Sequence, residues 1–307
     1  MTDTALSKTA TAPEEVSLSW RQYLELCKPK VVLLIVFTAI VGMLLSTPGM
    51  IPLDLLFYAS TGIGLAAASG AAVNHWVDQK IDAKMERTKG RPLPTGGLSS
   101  RAALTFALSL TIISMAILLA TTNPLTALLT FICVIGYAVI YTMFLKRSTP
   151  QNIIWGGAAG AAPPILGWTA VTGEINSEAL LLFLIIFIWT PPHFWALAIR
   201  RRDDYAKVDI PMLPVTHGIP FTKTQVLLYT FMLLAVTLIP FAIQMSGLIY
   251  LAGAVSLGIG FIYHAYKLYL TEGDQHAMKT FGYSIFYLTA LFAFLLVDHY
   301  IRIFIRG

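Results

Sequence analysis

Asn74-His75-Trp76-Val77-Asp78-Gln79-Lys80-Ile81-Asp82 closes an apolar run that starts near residue 52, and Ala83-Lys84-Met85-Glu86-Arg87-Thr88-Lys89-Gly90-Arg91-Pro92-Leu93-Pro94 follows directly. If the helical repeat continues to Asp82, then Asn74, Asp78 and Asp82 are successive i, i+4 neighbours on one face. Two carboxylates so spaced repel each other, and something cationic has to compensate. Hard oxygen ligands with an amide beside them suit Mg²⁺, which binds one or two carboxylates and completes its shell with water and substrate phosphate. Arg87, Lys89 and Arg91 come next, and guanidinium groups pair with phosphate oxygens in a two-pronged fork. Spacing alone leaves this reading level with a solvated membrane-edge helix of ordinary mixed charge. His75 sits about 100° round the helix from Asn74; it either lines the same cavity or faces a neighbouring helix.

The run that feeds this segment is one of nine. Apolar stretches fall roughly at 31–47, 52–74, 102–121, 124–145, 152–172, 178–199, 224–244, 247–268 and 281–301. Most reach the length of about 18 residues or more that crosses a hydrocarbon core. The chain of 307 residues is 56% hydrophobic and 12% charged, half the charged share of a soluble domain. An all-α membrane protein with nine transmembrane helices is the fold these runs predict. Residues 21–307 form one membrane domain, preceded by a disordered cytoplasmic tail over 1–20.

The basic residues alternate with the connections. Lys8, Arg21, Lys28 and Lys30 precede the first run, and Lys80 to Arg101 occupy the second connection. Lys146 and Arg147 mark the fourth, Arg200, Arg201, Arg202, Lys207 and Lys223 the sixth, and Lys267 and Lys279 the eighth. The odd connections, near 48, 122, 175 and 245, have none, and only Arg302 and Arg306 at the C-terminus break the pattern. Such a bias places the N-terminus and the even connections in the cytoplasm and the C-terminus outside. The net charge of +5 therefore reads as membrane topology, and a nucleic-acid partner is not expected. Cys27 and Cys133 stand far apart, outside any metal-ligand spacing, and read as isolated thiols. The second and sixth connections are long and rich in both charges, which points to a functional cytoplasmic face. A transporter would need ionisable groups near mid-membrane, whereas these runs keep their charges at the cytoplasmic ends. A haem-binding assembly protein would need a histidine but not the paired aspartates.

The block from 74 to 94 resembles the first aspartate-rich motif of the UbiA-type membrane prenyltransferases, Asn-x-x-x-Asp-x-x-x-Asp followed by Arg and Arg-Pro-Leu; here these are Asn74, Asp78, Asp82, Arg87 and Arg91-Pro92-Leu93. Further segments resemble the branch of that family that farnesylates haem. They are Tyr137, Tyr141-Thr142-Met143, Leu145-Lys146-Arg147, Thr149-Pro150-Gln151-Asn152, Gly156 to Gly160 and Pro163-Pro164. Thr190-Pro191-Pro192-His193-Phe194-Trp195, Asp204-Tyr205 and Ile210-Pro211-Met212-Leu213-Pro214 extend the likeness, which runs from about residue 22 to the last helix.

The resemblance implies a nine-helix bundle whose central cavity opens to the cytoplasmic side of a bacterial inner membrane. It implies a Mg²⁺-dependent transfer of farnesyl from farnesyl diphosphate to a vinyl group of haem B, with water completing the product, haem O. Asp78 and Asp82 would hold the metal, with Asn74 and Asp204 as further ligands, and Arg87 and Arg91 would clamp the leaving group. Lys146, Arg147, Tyr141, Asn152, His193, Asp204 and Lys207 would contact substrate. A core histidine satisfied by a neighbour is the alternative for His193. Where many relatives carry a second pair of aspartates four apart, this chain has Asp203, Asp204 and Asp209, and no clean second pair. Haem A synthase or terminal-oxidase assembly factors would be partners, and the lipid bilayer would deliver the farnesyl chain.

Overall fold

A computed structural model describes residues 20–306; the expected tail lies outside these but for Trp20. The described residues contain helices and no strand. Helix α1 (Trp20–Leu26) is bent by 54° from α2 (Pro29–Leu45). At the break Lys28 takes a left-handed backbone, φ 49°, and Pro29 starts α2 where its missing N–H goes unneeded. There follow α3 (Leu53–Asp82), α4 (Ser100–Thr121), α5 (Pro124–Ser148), α6 (Asn152–Ala161), α7 (Pro163–Thr172), α8 (Ser177–Arg200), α9 (Gly218–Ala242), α10 (Leu248–Leu270) and α11 (Ala277–Arg306). Among the described residues seven single helices are long and apolar enough to cross a membrane, or eight with the bent α1–α2 pair. The run expected as a fifth span, 152–172, is split into α6 and α7 at Ala162 by the prolines that follow it.

Local chemistry sets several of these ends. Ser99 caps α4 by accepting from the Ala102 N–H, and Asn123 caps α5 by accepting from Thr126 while donating to the Thr169 carbonyl at 2.7 Å. Gly173, with φ 73°, supplies the left-handed residue that stops α7. Helix α3 continues eight residues past its apolar run, which carries Asn74, Asp78 and Asp82 on the helix rather than in a loop.

One core cluster joins α2, α7, α8, α9, α10 and α11 through Val41, Trp168, Ile185, Leu233, Phe261 and Leu291. A second lies at the charged end. There Met85 of the second connection and Tyr205, Ile210 and Met212 of the sixth pack with Ile153, Trp195 and Val226. The two long even connections are thereby tied to one another and to the helix ends. Large apolar side chains such as Leu33, Phe57, Ile112 and Phe231 are exposed, as expected where the outside solvent is lipid.

Asp298 anchors the opposite end of the bundle. It is buried in α11 and accepts from the backbone N–H groups of Gly247 and, at 3.2 Å, Tyr250, so it caps α10 from a neighbouring helix; Arg302 stands 3.9 Å away. Replacing it by alanine leaves buried donors unmatched. Asp298→Ala should therefore cost about 2–3 kcal/mol, read as a lower unfolding temperature in detergent. An unchanged midpoint would show that the cap contributes nothing.

Candidate active site

The last two turns of α3 carry the expected row, and a ring of cations from distant segments closes on it. Asp78 is 1% exposed and Asp82 4%. Asn74 donates to Asp78 Oδ2 at 2.8 Å and in turn accepts from Lys28 Nζ at 2.6 Å. Lys146, at the end of α5, donates to the same Asp78 oxygen, and Arg147 stands 3.7 Å from the other. Arg91 donates to Asp82 Oδ2 at 2.6 Å, and Thr88 ties the intervening turn by donating to the Asp82 carbonyl at 3.1 Å. Each carboxylate thus meets the compensating charge that i, i+4 repulsion demands. Burial first, then Arg91 and Lys146, draws Lys28 down to about 7, against the pull of Asp78 and Asp82. The ring holds more positive charge than its two carboxylates balance.

The winding of α5 aims Lys146. From Gly136 to Leu145 it is a π-helix, a rare form that recurs at functional sites and changes the register of everything after it. Within it Tyr137 and Tyr141 stack at 5.6 Å. Tyr141 lies against Gly156 of α6, where a Cβ would strike its ring, so the missing side chain makes room for the tyrosine. Asn152, fully buried, donates to the Lys146 carbonyl at 3.1 Å, while its own Oδ1 has no hydrogen-bond partner.

Asn74, Asp78, Asp82, Arg91, Lys146, Arg147, Tyr141 and Asn152 are therefore brought together. Among the described residues no hydrogen bond or ion pair joins the other expected residues to Asp78 or Asp82. Arg87 is exposed, beside Tyr205, whose hydroxyl burial pushes up and Arg87 and Arg201 pull back. Asp204 pairs with Arg201 at 3.8 Å, and Lys207 is exposed. Among the described residues no three His, Cys, Asp or Glu side chains converge as a metal cluster, so Asp204 does not join Asp78 and Asp82 in one. His193 is locked in the bundle. Its Nδ1 is 2.6 Å from Ser284 Oγ, and its ring is stacked between Trp189 at 4.3 Å and Phe281 at 4.5 Å. Ser284 thus engages one of its two ring nitrogens. In the sequence Lys28 is only a topology charge; no local signal links it to Asn74, 46 residues away.

A bundle of apolar helices with paired carboxylates and cations at one end of α3 is the frame of a membrane prenyltransferase. This chain belongs to the UbiA prenyltransferase family, whose model matches residues 35–295. The protoheme IX farnesyltransferase of Thioalkalivibrio sulfidiphilus is 66% identical over 284 residues, which are 92% of this chain and 94% of that protein. The fold is shared with a solved structure of digeranylgeranylglyceryl phosphate synthase at TM-score 0.76 and 19% identity, over 91% of this chain and 98% of that one. It is also shared with a UbiA homologue from Archaeoglobus fulgidus bound to DMAPP and Mg²⁺, at TM-score 0.61 and 14% identity, over 89% and 99% respectively.

Proposed function

We propose that this chain transfers a farnesyl group from farnesyl diphosphate to a vinyl group of haem B, in a bacterial inner membrane with the charged end of α3 on the cytoplasmic side. The observation that carries the reading is the buried Asp78–Asp82 pair ringed by Lys28, Arg91, Lys146 and Arg147. The haem-specific part rests on the high identity to the farnesyltransferase just described. The residues fit a divalent cation. Asp78 Oδ1 is buried and makes no hydrogen bond, and Asn74 offers an amide beside it. Asp78 and Asp82 would hold Mg²⁺, with Asp204 as an outer diphosphate contact.

Mg²⁺ bound there neutralises the charge that builds on the departing diphosphate. This chain's own part is electrostatic and positional. Lys146, Arg147 and Arg91, now paired with the carboxylates, turn to the diphosphate oxygens as the allylic C–O bond lengthens, with Arg87 closing from the second connection. The ring of Tyr141 presents a π face to the farnesyl cation, worth about 0.5–2 kcal/mol. The vinyl carbon forms the new bond to farnesyl C1. Water adds to the neighbouring carbon and loses a proton, giving the hydroxyethylfarnesyl group. No protein nucleophile is required. Haem A synthase or oxidase-assembly factors would take up the product.

The test is incubation of the purified protein with haem B, farnesyl diphosphate and Mg²⁺, with the product read by mass spectrometry. Haem O should form, and chelation should slow it by at least about 100-fold, reversed by excess Mg²⁺. Full-speed product with all divalent metal removed would end the metal assignment. Prenylation of some other acceptor in preference to haem would overturn the acceptor.

A further inference from the structure

A cavity of about 420 Å³ opens between α1, its break from α2 and the Asp82 end of α3, lined by Arg21, Glu25, Lys28, Lys30, His75 and Arg91. Four cations and one carboxylate face it. Among the described residues Arg21, Lys28 and Lys30 have no carboxylate within salt-bridge distance, and Lys28 bonds only the Asn74 amide oxygen. His75 is 2% exposed, and neither of its ring nitrogens has a hydrogen-bond partner. A buried imidazole left wholly unsatisfied is costly, and here it looks onto a cationic space. His193, by contrast, already has its partner in Ser284.

We infer that this cavity seats the two carboxylates of the acceptor substrate, with Arg21 and Lys30 pairing to them at its exposed mouth and His75 donating a hydrogen bond from its buried wall. The inference rests on the haem reading above and deepens it by assigning the acceptor's subsite. Charge decides for an anion, and position decides which one. The inner wall is made by Lys28 and Arg91, which themselves reach Asn74 and Asp82. The cavity therefore adjoins the diphosphate site without containing its carboxylates. Haem B carries its propionates on the edge opposite its vinyl groups. Propionates paired with the exposed Arg21 and Lys30 fix that edge of the macrocycle at this end of α3, beside the diphosphate site. Leu24 and Val31, both largely exposed, give the macrocycle an apolar rim.

The experiment titrates the purified full-length protein with haem B and, separately, with haem B dimethyl ester, following the Soret band without farnesyl diphosphate. Wild type should hold the free acid about tenfold more tightly than the ester, the range of one or two charge-assisted hydrogen bonds. The double variant Arg21→Gln/Lys30→Gln should weaken haem B by about tenfold and leave the ester and the KM for farnesyl diphosphate unmoved. Unchanged ester binding also reports that the variant folds. His75→Phe should lose part of the preference for the acid, and His75→Gln, which keeps a donor, should recover it. Equal losses for acid and ester, or none, would overturn the inference. So would a raised KM for farnesyl diphosphate with haem binding intact, since the cavity would then serve the diphosphate. A wild type that prefers the acid but farnesylates no haem would overturn the catalytic reading and the acceptor role with it, leaving only a site for haem carboxylates.

Discussion

Asp78→Asn should lower the rate of prenyl transfer by at least about 10³-fold while leaving the helix bundle assembled. The substitution keeps the shape of the side chain and one oxygen for the Asn74 amide, and removes only the charge. That charge is what Lys146 and Arg147 pair with, and what a divalent cation needs at the buried, unbonded Oδ1. Without it the ring of Lys28, Lys146 and Arg147 faces a neutral amide, and both metal affinity and the aim of the cations are lost. Helix α3 is held instead by buried apolar residues such as Ala59, Ile63, Ala66 and Ala72, which the change does not touch. Elution volume and helical circular dichroism should match wild type, and the loss should fall on kcat rather than on the KM for haem. Near-normal turnover in Mg²⁺ would mean that the site is elsewhere.

The second large effect is structural. Gly167→Val should prevent the protein from accumulating as a folded, monodisperse species, with a destabilisation at or beyond the roughly 3 kcal/mol upper range of ordinary overpacking. Helices α2 and α7 cross backbone to backbone. A Cβ on Gly167 would run into the carbonyl of Ala39, and a Cβ on Gly42 would meet that of Pro164. Backbone atoms cannot swing aside as a flexible side chain does, so the helices must separate. That would loosen Trp168 and Val41 in the largest core cluster. Small residues at such crossings are the usual means of close approach between membrane helices. Gly160→Ala serves as the control, because a Cβ there meets nothing within 4 Å. Fluorescence-detected elution from detergent extracts distinguishes the two; equal behaviour would show that the α2–α7 crossing tolerates a side chain.

The helical class and the row Asn74, Asp78, Asp82 are legible in the sequence, because both depend on short-range periodicity. Apolar runs end where charges begin, and residues four apart share a face in any helix. Helix α1 is not legible there as a separate bent helix, since seven residues carry too little periodicity to stand out beside the longer run. The stretch 152–172 reads as one run although Pro163 and Pro164 lie in its middle, because hydropathy averages over such a break. The family resemblance implies haem contact for His193; the structure adds that its Nδ1 pairs with Ser284, 91 residues away, a contact that no local signal announces.

By itself the chain determined the helical class, which ends of its long apolar runs are charged, and that two carboxylates share one helical face. Hydrophobic transfer and the 3.6-residue repeat are set by neighbours in sequence. Only the tertiary structure decided which cations close on that row, with Lys28 reaching Asn74 from 46 residues away and Lys146 reaching Asp78 from 68. It also left His75 unbonded beside a cavity while pairing His193 with Ser284. Such pairings follow from helix crossings and from the π-wound register of α5, and spacing along the chain does not encode them.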